Sequence, residues 1–213
     1  MLSATDLDNF SDSELWQRAS RGDEAAFIAL YRRRQSGVYR FALRMSGSPA
    51  TAEDVTQEVF LALLREGGRY DAERSSVASY LFGIARNQVL RRLERERHWA
   101  VLPDDETDFD AGGLFDTGNP LGDLTRQETI DAVRQAVLAL PPHYREVVLL
   151  CDLHELSYLE TAAALDCAVG TVRSRLHRAR ALLGEKLKAS PAAQALTSTV
   201  KAEFNVLYEV PGV

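Results

Sequence analysis

SYLETAAALDCAVGTVRSRLHRARALL, residues Ser157 to Leu183, reads as two short helices joined by a tight turn. Ser157 followed three residues later by Glu160 is a capping box, which sets the first helix start. Leu159, Ala162, Ala163 and Leu165 recur at helical spacing and predict its apolar face. The small side chains of TAAAL leave room for a second helix to approach closely. Asp166-Cys167-Ala168-Val169-Gly170 breaks the pattern, and Gly170-Thr171 begins another helix. Val172, Leu176, Ala179 and Leu183 predict the inward stripe of that helix, leaving Arg173, Arg175, His177, Arg178 and Arg180 on its other faces. This is the plan of a helix-turn-helix, whose second helix lies in the DNA major groove. An amphipathic helix with a solvated basic face would produce the same charge run, so the rest of the chain decides between them.

The net charge of −6 over 213 residues looks wrong for a nucleic-acid binder until it is divided along the chain. Residues 1–17 carry −4 and residues 99–124 carry −7, neither with a basic residue, while residues 18–98 carry +5. Residues 125–188 carry +1 and the tail from 189 carries −1. Phosphate responds to the local field, so an acidic total does not exclude DNA, although it predicts weak binding by the free protein. Two cysteines, Cys151 and Cys167, are too few for a disulfide framework and suggest a reducing compartment. The first twenty residues hold Asp6, Asp8, Asp12 and Glu14 and no apolar run, unlike a signal peptide. No stretch approaches the roughly 18 apolar residues of a membrane span. The expectation is a soluble, cytoplasmic protein without membrane insertion.

Taken in order, Ser11 to Glu14 is a second capping box opening a helix that Gly22-Asp23 ends. A long helix over about Glu24 to Met45 has Phe27, Leu30, Tyr31, Val38, Phe41, Ala42 and Met45 inward, with Arg32, Arg33, Arg34, Arg40 and Arg44 on its remaining faces. Ser48 and Pro49 supply an N-cap and a first-turn proline for the next helix, Ala50 to Arg65. Ala52, Val55, Val59, Phe60 and Leu63 point inward from it, and Glu53, Asp54, Gln57 and Glu58 outward. A fourth helix, Ser76 to about His98, buries Tyr80, Leu81, Ile84, Ala85, Val89 and Leu93. Its outer side carries Arg86, Asn87, Arg91, Arg92, Arg95 and Arg97. Residues 99–124 are acidic, glycine-containing and without helical period, which predicts a flexible linker. Helical pattern resumes near Leu124. Pro141-Pro142 separates that helix from another over His143 to about Asp152.

No strand pattern or repeat occurs, so the fold class is all-α: two small helical domains joined by an acidic linker. The boundaries are an N-terminal arm 1–12, a first domain 13–98, the linker 99–124, a second domain 125–188 and a tail 189–213. Glu53, Asp54, Gln57 and Glu58 have no His, Lys or Ser at a telling interval, so a protein-binding or solvated face suits them better than acid–base chemistry. No phosphate loop, zinc-spaced cluster or nucleophile–base pair is present. The chain reads as neither an enzyme nor a holder of a cofactor or metal. Cys151 and His154 lie three apart with Cys167 nearby, but a buried cysteine on the apolar run VVLLC is the ordinary reading.

Two separated stretches carry a family resemblance. GDEAAFIALYRRRQSGVYRFALRMSGSPATAEDVTQEVFLALLR and SYLFGIARNQVLRRLERER resemble domain two of bacterial RNA polymerase sigma factors of the extracytoplasmic-function group. LPPHYREVVLLCDLHELSYLETAAALDCAVGTVRSRLHRARALL resembles their domain four. The match covers about Ser13–His98 and Glu128–Leu187 in the family's order, and AEDVTQEVF and GTVRSRLHRAR are its most specific strings. Glu155 stands where the family often has Gly, and Cys167-Ala168 where Ile-Pro is usual. Tyr80 and Leu64 replace frequent tryptophans.

The resemblance implies an alternative sigma factor that binds core RNA polymerase, melts promoters and serves a stress or envelope regulon. It implies that Glu53, Asp54, Gln57 and Glu58 meet the clamp helices of the largest polymerase subunit, and that domain four meets the flap of the second-largest. Tyr70, Arg86, Asn87, Arg91 and Arg92 fall where the minus-ten element is opened, with Tyr80 better explained by core packing. Thr171, Arg173, Ser174, Arg175, His177 and Arg178 fall on the helix that reads minus-thirty-five DNA. Arg173 and Arg175 are the expected base readers and the others the expected phosphate contacts. An anti-sigma factor is the further partner the resemblance implies. A stand-alone helix-turn-helix regulator is the alternative, but it leaves AEDVTQEVF and SYLFGIARN without a purpose.

Overall fold

The computed structural model describes Leu7 and residues 9–67, 70–99 and 122–188. Among these residues every element is helical. Most of the N-terminal arm, nearly all of the acidic linker and the tail from 189 lie outside the described residues. The N-terminal half is α1 (Asp12–Ala19), α2 (Glu24–Ser46), α3 (Pro49–Glu66) and α4 (Val77–Trp99). The C-terminal half is α5 (Gly122–Leu138), α6 (Pro142–Val148), a π-helical turn (Leu149–Leu153), α7 (Tyr158–Leu165) and α8 (Val169–Lys188).

The helix starts follow the capping chemistry in the sequence. Ser11 and Glu14 form a reciprocal capping box at α1, and Asp23 caps α2 by accepting from the Ala26 amide at 3.1 Å. Ser48 accepts from the Thr51 amide at 3.2 Å with Pro49 in the first turn of α3. Each such cap satisfies an otherwise orphaned donor and contributes about 1 kcal/mol. Gly47 ends α2 at φ 77°, a left-handed conformation that glycine adopts without Cβ strain.

Helices α2, α3 and α4 enclose the first core. Leu30, Val38, Phe41 and Met45 of α2 meet Val55, Val59 and Leu63 of α3 and Leu81, Ala85 and Val89 of α4, all essentially without solvent exposure. Phe27 and Tyr31 are only partly buried and pack edge-on against Phe60, at centroid distances of 6.5 and 4.7 Å. Burying a side chain of this size is worth about 1.5–3 kcal/mol, so truncating Phe41 would remove a large part of the domain's stability. Arg44, expected on an outer face, is buried at the end of α2.

In the second half the inward stripe of α8 is as expected: Val172, Leu176, Ala179 and Leu183 are all buried. Two local expectations are corrected. The helix expected from His143 to about Asp152 is α-helical only through Val148 and then widens into the π turn, where the His154 amide donates to the Leu149 carbonyl at 2.9 Å. Glu155 follows at φ 55°. In α7 the buried side is Thr161, Ala162, Ala164 and Leu165, while Leu159 is 73% exposed and Ala163 is exposed. The face is rotated because Thr161 packs inward, its hydroxyl 3.3 Å from the Cys151 thiol.

The two halves pack on each other in one continuous core. α4 lies against α7, and α2 meets α5, α6 and the π turn. The small TAAAL side chains expected to admit another helix admit α4. A Cβ built on Gly83 of α4 would stand 3.2 Å from the Ala164 carbonyl oxygen of α7. Only glycine lets the two backbones come this close without displacement.

Candidate nucleic-acid interface

The expected polymerase-facing residues sit together on one side of α3. Glu53, Asp54 and Gln57 are exposed and Glu58 is half-buried. Their spacing puts Asp54, Gln57 and Glu58 on adjacent turns, and the exposed Leu61 and Leu64 continue the strip toward the C-terminal end of the helix. An acidic and amide strip beside exposed leucines can take an arginine-bearing helix through charge-assisted hydrogen bonds and apolar contact.

The residues expected at the minus-ten element divide into exposed and inward-turned groups, with the Asn87 Oδ1 accepting from the Arg86 Nη1 at 3.4 Å. Asn87 and Arg91 are exposed on α4. Arg92 is half-buried with its guanidinium 3.9 Å from Asp54 of α3. Tyr70 is turned inward: its ring lies 5.5 Å from that of Tyr80, and its hydroxyl donates to the Ser75 carbonyl at 3.1 Å. Arg86 is also engaged. Its Nε donates to the Glu146 carboxylate of α6 at 2.7 Å and its Nη2 to the other oxygen at 3.4 Å.

The minus-thirty-five set divides likewise. Arg173, Ser174, His177 and Arg178 are exposed along one side of α8. Arg173 extends over the ring of Tyr158 at 5.7 Å, a cation–π contact that steadies it near the start of the helix. The Ser174 hydroxyl donates to the Thr171 carbonyl at 3.0 Å. Thr171 is half-buried. Arg175 points the other way and donates to Glu146 at 3.4 Å. Arg180 holds Asp152 of the π turn, with Nε 3.0 Å from its carboxylate, which fixes α8 to the turn before the helix-turn-helix.

The sequence pattern assigned no role to Glu146 or Gly83 and no partner across the two halves to His154, Ser76 or Glu160. Glu146 is 1% exposed between two arginines from different halves of the chain. A lone carboxylate in the apolar run REVVLL was the available signal, because a charge so placed has to be paired. Ser76 at the start of α4 donates to Glu160 at 3.0 Å. The Glu160 carboxyl is held below the usual range first by the Ser157 amide, with the Ser157 and Ser76 hydroxyls adding to the effect. His154 lies on Phe82 and Phe41, at 4.6 and 6.2 Å between centroids. Burial, with Arg40 and Arg44 nearby, pushes its pKa down to about 3. Burial raises the Cys151 thiol above its ordinary pKa, as befits a packed cysteine. Among the described residues no group of His, Cys, Asp or Glu is arranged to hold a metal, and no helix is long and apolar enough to cross a membrane.

Comparison with known proteins agrees with this arrangement of helices. Residues 30–98 match the family model for sigma-70 region 2, and residues 130–183 match that for sigma-70 region 4. The ECF RNA polymerase sigma factor SigE of Mycolicibacterium smegmatis is 36% identical over 87% of this chain and 76% of its own length. SigM of Mycobacterium tuberculosis is 36% identical over 83% of this chain and 85% of its own. The sigma-E factor of Escherichia coli is 31% identical over 85% and 96%. Among solved structures, CnrH in complex with the cytosolic domain of CnrY superposes with a TM-score of 0.62 at 27% identity. It covers 84% of this chain and 98% of that one. The Bartonella quintana sigma factor RpoE, in complex with the anti-sigma factor NepR, shares the fold with a TM-score of 0.54 at 23% identity. With both regions matched in order and more than a third of the residues shared across most of the chain, this protein belongs to the extracytoplasmic-function sigma factors, alternative sigma factors that direct promoter-specific transcription initiation.

Proposed function

We propose that residues 13–98 form the half that docks on core RNA polymerase and opens the minus-ten element, and residues 125–188 the half that reads minus-thirty-five DNA. Residues 99–124 would join them as a linker. The observation that carries this reading is an acidic strip on α3 beside one basic helix, α4, in the first half, with a second basic helix, α8, in the other half. The strip of Glu53, Asp54, Gln57 and Glu58 takes the clamp helices of the largest subunit, and the second half takes the flap of the second-largest. A stand-alone regulator has no use for the first of these surfaces.

On promoter DNA, Arg173 reaches base edges in the major groove, where a guanidinium pairs bidentately with guanine. Thr171, Ser174, His177 and Arg178 fix the phosphate register. Arg175 is drawn inward by Glu146, so its part in base reading is weaker than that of Arg173. On α4, Asn87 offers an amide to a flipped base while Arg86, Arg91 and Arg92 follow the phosphates of the freed strand. Tyr70 acts there only once its ring leaves Tyr80. The protein works in transcription initiation rather than catalysis, and an anti-sigma factor, as NepR is for the Bartonella RpoE, is its inhibitory partner. The regulon is one of stress or envelope genes. Transcription of a genomic library with core polymerase and this protein alone, read by sequencing RNA starts, tests the reading. Discrete starts sharing two upstream elements are expected, and random initiation would reject it.

A further inference from the structure

We propose that a cavity between α2 and the end of the π turn binds a small phosphate anion, of orthophosphate or pyrophosphate size. The cavity holds about 230 Å³, with Arg33, Arg34 and Arg40 on its α2 wall and Phe82 of α4 and His154 in its lining. None of its lining residues belongs to the acidic strip of α3 or to the promoter-contacting sets, so the site stands apart from the functional reading above. The sequence of α2 gathers these cations. Positions 33, 37 and 40 recur on one side of a helix, and Arg34 flanks them. Between the arginines stands Gly37, where a Cβ would lie 3.9 Å from the Phe82 ring and 4.0 Å from the His154 Nδ1. Both are ordinary contact distances, so packing would accept alanine there. A mid-helix glycine gives up roughly 1 kcal/mol of helix propensity, and what it leaves at this point is room.

The charges around this room do not balance. Arg33 and Arg34 share one carboxylate: Arg33 lies 3.0 Å from Asp12, and Arg34 takes its other oxygen. Arg40 has no ion pair or hydrogen bond among the described residues, and the acidic member of the lining, Glu155, is exposed. Three guanidiniums therefore meet two carboxylates. The Nε2 of His154 is buried beside them without a partner among the described residues. Water would satisfy that nitrogen but leave the surplus charge where it is. A phosphate oxyanion answers both, since it accepts from a neutral imidazole N–H and its oxygens match guanidinium forks bidentately. Size sets the limit. Sites for drug-sized ligands run to about 300–1,000 Å³, so this one suits an inorganic anion better than a nucleotide.

Full-length protein is titrated with sodium pyrophosphate, orthophosphate and ADP by calorimetry at constant ionic strength, which holds diffuse screening fixed. The imidazole NMR signals are followed in parallel. His154, identified by its loss in His154→Gln, reports the cavity, while His177 reports the exposed basic face of α8. One pyrophosphate should bind per chain and shift His154, with ADP about tenfold weaker or more. Arg40→Gln, checked for helicity, should weaken pyrophosphate about tenfold or more, as loss of a hydrogen bond to a charged group does. Gly37→Ala fits without displacement and favours the helix, so it should stay folded and weaken pyrophosphate more than orthophosphate. Absence of saturable binding, movement of His177 alone, or equal affinity in wild type and Arg40→Gln would overturn the site. ADP binding as tightly as pyrophosphate would overturn the choice of occupant. None of these results bears on promoter recognition, which the sequencing of RNA starts tests separately.

Discussion

The carboxylate of Asp54 on α3 lies 3.9 Å from the guanidinium of Arg92 on α4, joining the expected polymerase strip to the expected promoter-melting helix. Asp54 is well exposed, and an exposed pair of this kind is worth at most about 1 kcal/mol, so its carboxylate can change partner at little cost. Asp54→Ala and Gln57→Ala should therefore weaken binding to core polymerase several-fold while leaving the melting temperature nearly unchanged. Affinity capture on immobilised core enzyme, paired with thermal denaturation, checks both halves. Equal capture of wild type and the double variant would remove the docking assignment.

The two basic helices should fail in different ways. Arg173→Ala should cost about 1–3 kcal/mol of duplex affinity and relax preference at one minus-thirty-five position. Asn87→Ala, on exposed α4, should leave that affinity intact and slow strand opening. Permanganate footprinting of the opened strand, beside titrations on matched and mismatched duplexes, separates the outcomes. Arg175→Ala should relax base preference less than Arg173→Ala, because Arg175 already spends its guanidinium on Glu146.

Glu155 sits at φ 55°, between the π turn and the Ser157 cap. A non-glycine residue held there carries roughly 1–2 kcal/mol of strain. Glycine would relieve it but would also gain entropy in the unfolded chain. The net expectation for Glu155→Gly is a stabilisation of about 1 kcal/mol, read as a shift in the urea midpoint with unchanged slope. A lowered midpoint would mean that the Glu155 side chain makes a contact worth more than the strain.

Much of this architecture was legible because helices announce themselves locally. Both Ser-x-x-Glu capping boxes formed, and Val172, Leu176, Ala179 and Leu183 all face inward, since period and cap are encoded within a single element. Leu159 misled because a short helix with alanines on several sides has no single apolar stripe, and the inward turn of Thr161 toward Cys151 decided the face. The π turn depends on hydrogen bonds one residue longer than the helical repeat, which no spacing of apolar residues signals. The contact between the halves was invisible for a different reason. Nothing in either local pattern says that Arg86 and Glu146, 60 positions apart, will meet. Only Gly83 within a helix and a carboxylate within REVVLL hinted that those faces are covered.

His154 gives the folded protein a dependence on pH whose sign follows from its surroundings. The ring belongs to the second half but rests on Phe82 and Phe41 of the first. The charged groups nearest it are all cationic on α2, with Arg33, Arg34 and Arg40 lining the adjoining cavity and Arg44 close by. Glu155 is the acidic member of that lining. Its Nε2 is buried and finds no hydrogen-bond partner among the described residues, so an added proton has no acceptor waiting. Burial, reinforced by Arg40 and Arg44, thus favours the neutral ring and lowers the pKa from 6.5 to about 3. The unfolded chain binds that proton more readily than the folded one. Stability of the folded form is consequently full above pH 6.5 and falls as pH drops from 6.5 toward 3, with a limiting slope of about 1.4 kcal/mol per unit. Between pH 7.5 and 5.5 most carboxylates remain ionised, so His154 should dominate the change there. Denaturant titrations over that interval should show the wild type losing about 1 kcal/mol. His154→Gln, which cannot take the proton, should lose much less. A wild-type midpoint independent of pH across the interval would mean that the ring takes up its proton in the folded protein as readily as in the unfolded chain, and a midpoint that rose on acidification would mean that the folded ring is already protonated.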